Sequence, residues 1–136
     1  MKALKTISVM LVVLGIILTA CNSEPSLNRT KWRLTQLAGQ PALTETEVTL
    51  NLDEGTLGGN DGCNSYGGSY TSEGETIIVG KDIISTMMYC NEQIQTQTNA
   101  FYQALLDAAM FNLTSENLSL VDSSGAVLAE FETLRN

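Results

Sequence analysis

From Lys31 onward, apolar and polar positions alternate mostly with the period of β-strands. Trp32-Arg33-Leu34-Thr35-Gln36-Leu37 and Val48-Thr49-Leu50-Asn51-Leu52 each place their apolar residues on one face. Gly39-Gln40-Pro41 reads as the loop between them, and Asp53-Glu54-Gly55 as the turn that follows. Ser69-Tyr70-Thr71 and Thr76-Ile77-Ile78-Val79 flank Ser72-Glu73-Gly74-Glu75, a hairpin signal, and Ile83-Ile84-Ser85 is a further short strand. Phe111-Asn112-Leu113 and Leu118-Ser119-Leu120 flank Ser115-Glu116-Asn117 as a second hairpin. Asp122-Ser123-Ser124-Gly125 then leads into a last strand, Val127-Leu128-Ala129-Glu130-Phe131.

One segment breaks this pattern. Asn91 suits an N-cap, Glu92 lies near the positive end of a helix dipole, and Ile94, Thr98, Phe101, Leu105 and Ala108 fall on one helical face. That stripe reads as core packing against a sheet. Strands, one helix, then more strands predict an α+β fold: a mainly antiparallel, strongly curved, barrel-like sheet with one helix inserted before the last strands.

The first twenty residues follow a different logic. Lys2 and Lys5 give a positive start, an apolar run follows from Ile7 to Leu18, and Leu18-Thr19-Ala20-Cys21 closes it with small residues. About 12 apolar positions are too few to cross a hydrocarbon core of about 30 Å comfortably, so a secretory signal is the better reading. Leu-Thr-Ala-Cys resembles the bacterial lipobox, which implies lipidation of Cys21; the alternative is an ordinary secretory signal ending near a cysteine. The expected organisation is a lipoprotein signal peptide at 1–20, a short lipid-anchored tether at 21–28 and a single domain at 29–136. Several acyl chains on one residue anchor stably where one chain is marginal. Asn22 to Asn28 would reach roughly 23 Å at about 3.3 Å per residue, keeping the domain close to the membrane. The expected location is the cell envelope, on the exported side of the membrane. Asn22 is not the aspartate that retains some Gram-negative lipoproteins at the inner membrane, which leans the expectation toward the outer membrane where one exists.

Charge narrows the partners. The chain carries 7 basic and 15 acidic residues, and loss of 1–20 removes Lys2 and Lys5 and no acid, leaving 5 − 15 = −10. Nucleic acid is therefore not expected, and neither is adsorption to an anionic membrane surface, since both need clustered Lys and Arg.

Cys21 apart, the cysteines are Cys63 and Cys90, an even pair in a compartment expected to be oxidising. A disulfide between them closes a loop of 90 − 63 = 27 positions, a constraint of roughly 3–4 kcal/mol in the chain-entropy picture. The alternatives are two free thiols or a metal site, and zinc is poorly supported without histidine or a CxxC spacing.

Catalytic signals are scarce. Histidine, the commonest general base and metal ligand, is absent, and no nucleophile elbow, P-loop or HExxH occurs. The glycine-dense stretch from Gly55 to Gly68 lacks GxGxxG spacing, so no phosphate cradle is expected. Asp53, Glu54 and Asp61 lack the ligand spacing of an EF-hand, and a solvated loop is expected there rather than a calcium site. No catalytic residue, metal or cofactor is assigned.

Two stretches carry more information: Gly59-Asn60-Asp61-Gly62-Cys63-Asn64-Ser65-Tyr66-Gly67-Gly68-Ser69-Tyr70 and Ser85-Thr86-Met87-Met88-Tyr89-Cys90. Glycines around Cys63 suit a chain that turns with positive φ while nearing a disulfide partner. Asn64 can bond neighbouring backbone, and Tyr66 and Tyr70 alternate as strand residues do. The first stretch resembles the G-x-x-G-C-N-x-Y-x-G-x-Y signature of the META/HslJ domain family, carried by Gly59, Gly62, Cys63, Asn64, Tyr66, Gly68 and Tyr70. The second is similar to that family's T-x-M-x-C motif, here Thr86, Met88 and Cys90. Trp32-x-Leu34, Phe101-Tyr102-x-Ala104-Leu105, Leu118-x-Leu120 and Gly125-x-x-Leu128 extend the likeness over roughly Leu27 to Glu132. Tyr89 departs from the family's usual small residue, and Thr98 from a frequent acid.

The resemblance implies a compact α+β domain with barrel-like curvature, often an envelope lipoprotein. Members are linked to heat-shock response, motility and novobiocin resistance, and no catalytic residues come with the family. The expected function is a non-catalytic, membrane-anchored domain that binds an envelope protein or serves in stress. A carrier of a small ligand or lipid in a cavity of the curled sheet is the alternative, and a hydrolase using paired carboxylates is third.

Overall fold

The computed structural model describes residues 26–134. The expected signal peptide, Cys21 and the first part of the expected tether lie outside the described residues. Ten strands and one helix follow in chain order: β1 (Thr30–Leu37), β2 (Gln40–Pro41), β3 (Thr49–Asp53), β4 (Thr56–Asn60), β5 (Ser65–Glu73), β6 (Thr76–Val79), β7 (Ile84–Ser85), α1 (Glu92–Asp107), β8 (Met110–Leu113), β9 (Asn117–Val121) and β10 (Val127–Thr133).

Eight of the strands close into an antiparallel barrel in the order β1-β3-β4-β5-β6-β8-β9-β10, and β10 returns to β1 with Trp32 opposite Thr133. A bulge between Leu34 and Gln36 lets β1 bend as the ring closes. The predicted curvature thus goes to full closure, which removes the free edges of the sheet. β2 hangs on β1, and β7 pairs with β5 at Tyr66 and Gly67, beyond the reach of β6.

Antiparallel order gives the barrel two ends. The near end holds Ser26, the 53–56 and 114–117 turns and the end of β10; there Arg29 pairs with Asp53 and Glu54, and Thr133 N–H donates to Glu116 O at 2.8 Å. The far end holds the 38–48 segment, the β4–β5 connection, the 80–90 segment and α1. There Gln97 Oε1 accepts from Leu43 N–H at 2.7 Å.

Inside, alternate residues of the strands meet the apolar face of α1. Phe101 is fully buried, edge-on to Tyr66 at 5.6 Å and to Phe131 at 6.4 Å. Trp32, Leu50, Leu52, Leu57, Ile77, Phe111, Leu118 and Leu120 fill the rest of the interior. Side chains therefore occupy the space the carrier alternative requires, as they do in other small barrels. Among the described residues no helix is long and apolar enough to cross a membrane.

Three expectations need adjustment. The glycine-dense segment contains a strand, β4, and Gln40-Pro41 pairs as β2 where a loop is expected. Leu27, within the segment read as tether, is 1 % exposed and belongs to the core.

Candidate functional site

The two motif stretches meet at the far end of β4 and β5. β4 ends at Asn60, and the chain turns through Gly62 at φ 96° to enter β5. A Cβ at Gly59 would strike the Thr49 carbonyl, so only glycine fits against β3 there.

Asp61, expected in a solvated loop with Asp53 and Glu54, is instead 1 % exposed, while those two stay at the surface of the near end. Its burial has a physical reason. Asp61 Oδ1 accepts from Cys63 N–H at 2.8 Å and Asn64 N–H at 2.6 Å, and Oδ2 accepts from Tyr102 Oη at 2.5 Å. Thr98, 3 % exposed, donates its hydroxyl to the Asp61 carbonyl at 3.0 Å. Three donors replace the water that a buried carboxyl would otherwise lose. The three acids assemble no calcium site, and no cluster of metal ligands occurs among the described residues.

Burial pushes the Tyr102 phenol well above its ordinary range, helped by its bond to Asp61. Burial does the same to Tyr66, with added repulsion from Tyr102 and Asp61. Both phenols remain donors, and Tyr66 Oη donates to Thr49 O at 2.8 Å.

Asn64 acts on the second stretch. Its Nδ2 donates to Met88 O at 3.1 Å, while its Oδ1 accepts from Met88 N–H at 2.7 Å and from Thr86 Oγ1 at 2.9 Å. One carboxamide thus serves Met88 as a neighbouring strand would. Thr86 N–H donates to Ser65 O at 3.0 Å, and a disulfide joins Cys63 to Cys90 with Cα atoms 5.9 Å apart. The expected pairing is present.

The alternation of the T-x-M-x-C motif now has a physical meaning. Thr86, Met88 and Cys90 are tied to residues 63–65, and the intervening Met87 and Tyr89 project at 97 % and 83 % exposure. Gly68 leaves room for the start of this segment, because a Cβ there would meet Ile83 Cγ1 at 3.1 Å. Asp82, in the same approach, accepts from Ser69 Oγ at 2.8 Å, and that bond holds its carboxyl below the ordinary range. Tyr70, the last motif residue, is buried in the barrel core.

Between this strap and α1 runs an open groove of about 350 Å³, walled by 85–89 on one side and by Gln95, Thr98, Asn99 and Tyr102 on the other. Both thiols are consumed in the disulfide, Asp61 is occupied, and every buried polar side-chain atom among the described residues has a partner. Asp61 and Tyr102 carry no assigned role in the sequence reading. Asp-Gly-Cys-Asn is an Asx-turn signature that points to the first, whereas nothing local marks the second.

Known proteins place this architecture. The profile of the META domain matches residues 25–134. A protein from Burkholderia xenovorans, solved by NMR, is 24% identical, aligns over 81% of this chain and 85% of its own, and superposes with a TM-score of 0.62. The crystal structure of a DUF4847 family protein from Bacteroides vulgatus is 14% identical over 81% of this chain and 96% of its own, with a TM-score of 0.59. At these identities the likeness is one of fold. No curated protein is similar to the chain in sequence. With the profile spanning every described residue and both cysteine motifs joined in one site, the chain belongs to the META domain family.

Proposed function

We propose that this protein is a lipid-anchored component of the cell envelope whose META domain is a non-catalytic binding module. The observation that carries this reading is the use made of the buried polar groups: Asp61 and Asn64 serve backbone and a phenol, and what they produce is a fixed strap with Met87 and Tyr89 turned outward. Groups so engaged are poor acids, bases or nucleophiles, and a rigid exposed surface suits recognition. The Leu18-Thr19-Ala20-Cys21 sequence supports the anchor.

Chemical cross-linking in living cells, comparing wild type with Cys21→Ser, tests the whole reading. Wild type should carry an acylated Cys21 as its first residue, fractionate with membranes and capture a reproducible partner that Cys21→Ser does not. An unmodified Cys21, or no specific partner for either form, overturns it.

A further inference from the structure

We infer that the strap and the groove beside α1 dock a segment of another protein that inserts one or two apolar side chains flanked by lysine or arginine. This rests on the binding reading above and names the surface and the partner chemistry.

Apolar exposure is concentrated here. Ile84, Met87, Met88 and Tyr89 are 75 %, 97 %, 62 % and 83 % exposed within six consecutive positions. A segment free to relax would fold such groups inward, yet the disulfide and the Asn64 carboxamide hold it in place. Binding to a surface already fixed loses less conformational freedom. Methionine adapts to varied apolar partners, and tyrosine is enriched among residues that dominate interfaces. Gln95 and Asn99, on the opposite wall, offer carboxamides that can pair with the main chain of an extended segment.

Position identifies what cannot cover the surface. The strap pairs with β5 at Tyr66 and Gly67, three strands from β1 by the shorter way round the closed ring and at the far end, so it lies at the opposite end of the barrel from Ser26. Cys21 is 26 − 21 = 5 positions before Ser26, a reach of at most roughly 17 Å. The eight residues of β1 alone run roughly 26 Å. A chain held at Cys21 by so short a reach is anchored at the end of the barrel away from the strap, which disfavours its own bilayer as the occupant.

Charge then selects the partner. The described cations are Arg29, Lys31, Arg33 and Lys81, and three of these lie in or beside β1, far from the strap. Only Lys81 approaches it, against Asp82 and Glu92 on its two flanks, on a domain of net charge 5 − 15 = −10. Like charge disfavours a second copy of this chain, and complementary charge speeds and orients a basic partner.

The test is photo-crosslinking in cells from the full chain, with benzoylphenylalanine at position 87 or, separately, at 89, and at 31 as a near-end control. Positions 87 and 89 should crosslink to a protein whose sequenced adduct peptide has an apolar residue beside Lys or Arg, and Glu92→Lys should lower the yield about tenfold. Adducts to lipid, to another copy of this chain or to a segment without basic residues overturn the inference. Adducts at 31 but at neither strap position also overturn it while leaving the binding reading intact; none at any position removes both.

Discussion

Two turns of this protein are built from nearly the same letters and do opposite things. Asp53-Glu54-Gly55 joins β3 to β4, and Asp61-Gly62-Cys63-Asn64 joins β4 to β5. In the first, the acids stay in solvent, and Arg29 reaches them in exposed pairs at 3.3–4.0 Å, contacts worth little in water. In the second, the acid is buried and bonded to two backbone amides and a phenol 41 positions away. An acidic residue beside glycine specifies a turn in both places. Whether that turn is a simple reversal or the hub of a site depends on what the fold lays across it, here α1.

The contrast can be broken by substitution. Asp61→Ala leaves three donors without an acceptor and should cost about 4 kcal/mol, whereas Glu54→Ala should stay within about 0.5 kcal/mol; urea denaturation of both measures the gap, and equal losses would mean that the two turns are equivalent after all. Reducing the disulfide, or the double change of Cys63 and Cys90 to Ala, should cost about 3 kcal/mol, read as a lower urea midpoint. Tyr102→Phe removes the side-chain donor alone and should cost about 2 kcal/mol; a neutral result would confine the hub to the turn itself.

The smallest expected effect concerns pH. Tyr66 and Tyr102 both have folded-state values raised above the ordinary 10.0. The unfolded chain therefore loses these protons first, and their contribution is complete below pH 10.0 and declines as pH rises above it. Thermal melts from roughly pH 9 to 11, the window set by that linkage, should show a loss that is shallower in Tyr102→Phe than in wild type.

Much of the barrel is legible in the sequence because it is local. Trp32 to Leu37, the 72–75 turn and the Ile94-Thr98-Phe101-Leu105 stripe each announce their element through period and turn chemistry. β4 does not, because Gly58 and Gly59 carry no side-chain pattern. They are needed for close approach instead: a Cβ at Gly58 would meet the Tyr66 carbonyl oxygen at 2.8 Å. The cysteine pair and the Asn64 motif mark the site, yet the burial of Asp61 is invisible, since it depends on Thr98 and Tyr102 arriving from a helix far along the chain.

Closure of the ring by β1 and β10 has a consequence for how the molecule is made. Trp32 and Thr133 are partners separated by 133 − 32 = 101 positions, so the earliest strand to be synthesised waits for the latest. Until β10 arrives, the inward face of β1 has a neighbour on one side only, and contacts this distant in sequence form slowly. The disulfide spans 27 positions and can join before that moment, so the strap can be set while the barrel is still open. Loss of the final strand would accordingly do its damage at the other terminus, by leaving β1 an unpaired edge available to a neighbouring chain.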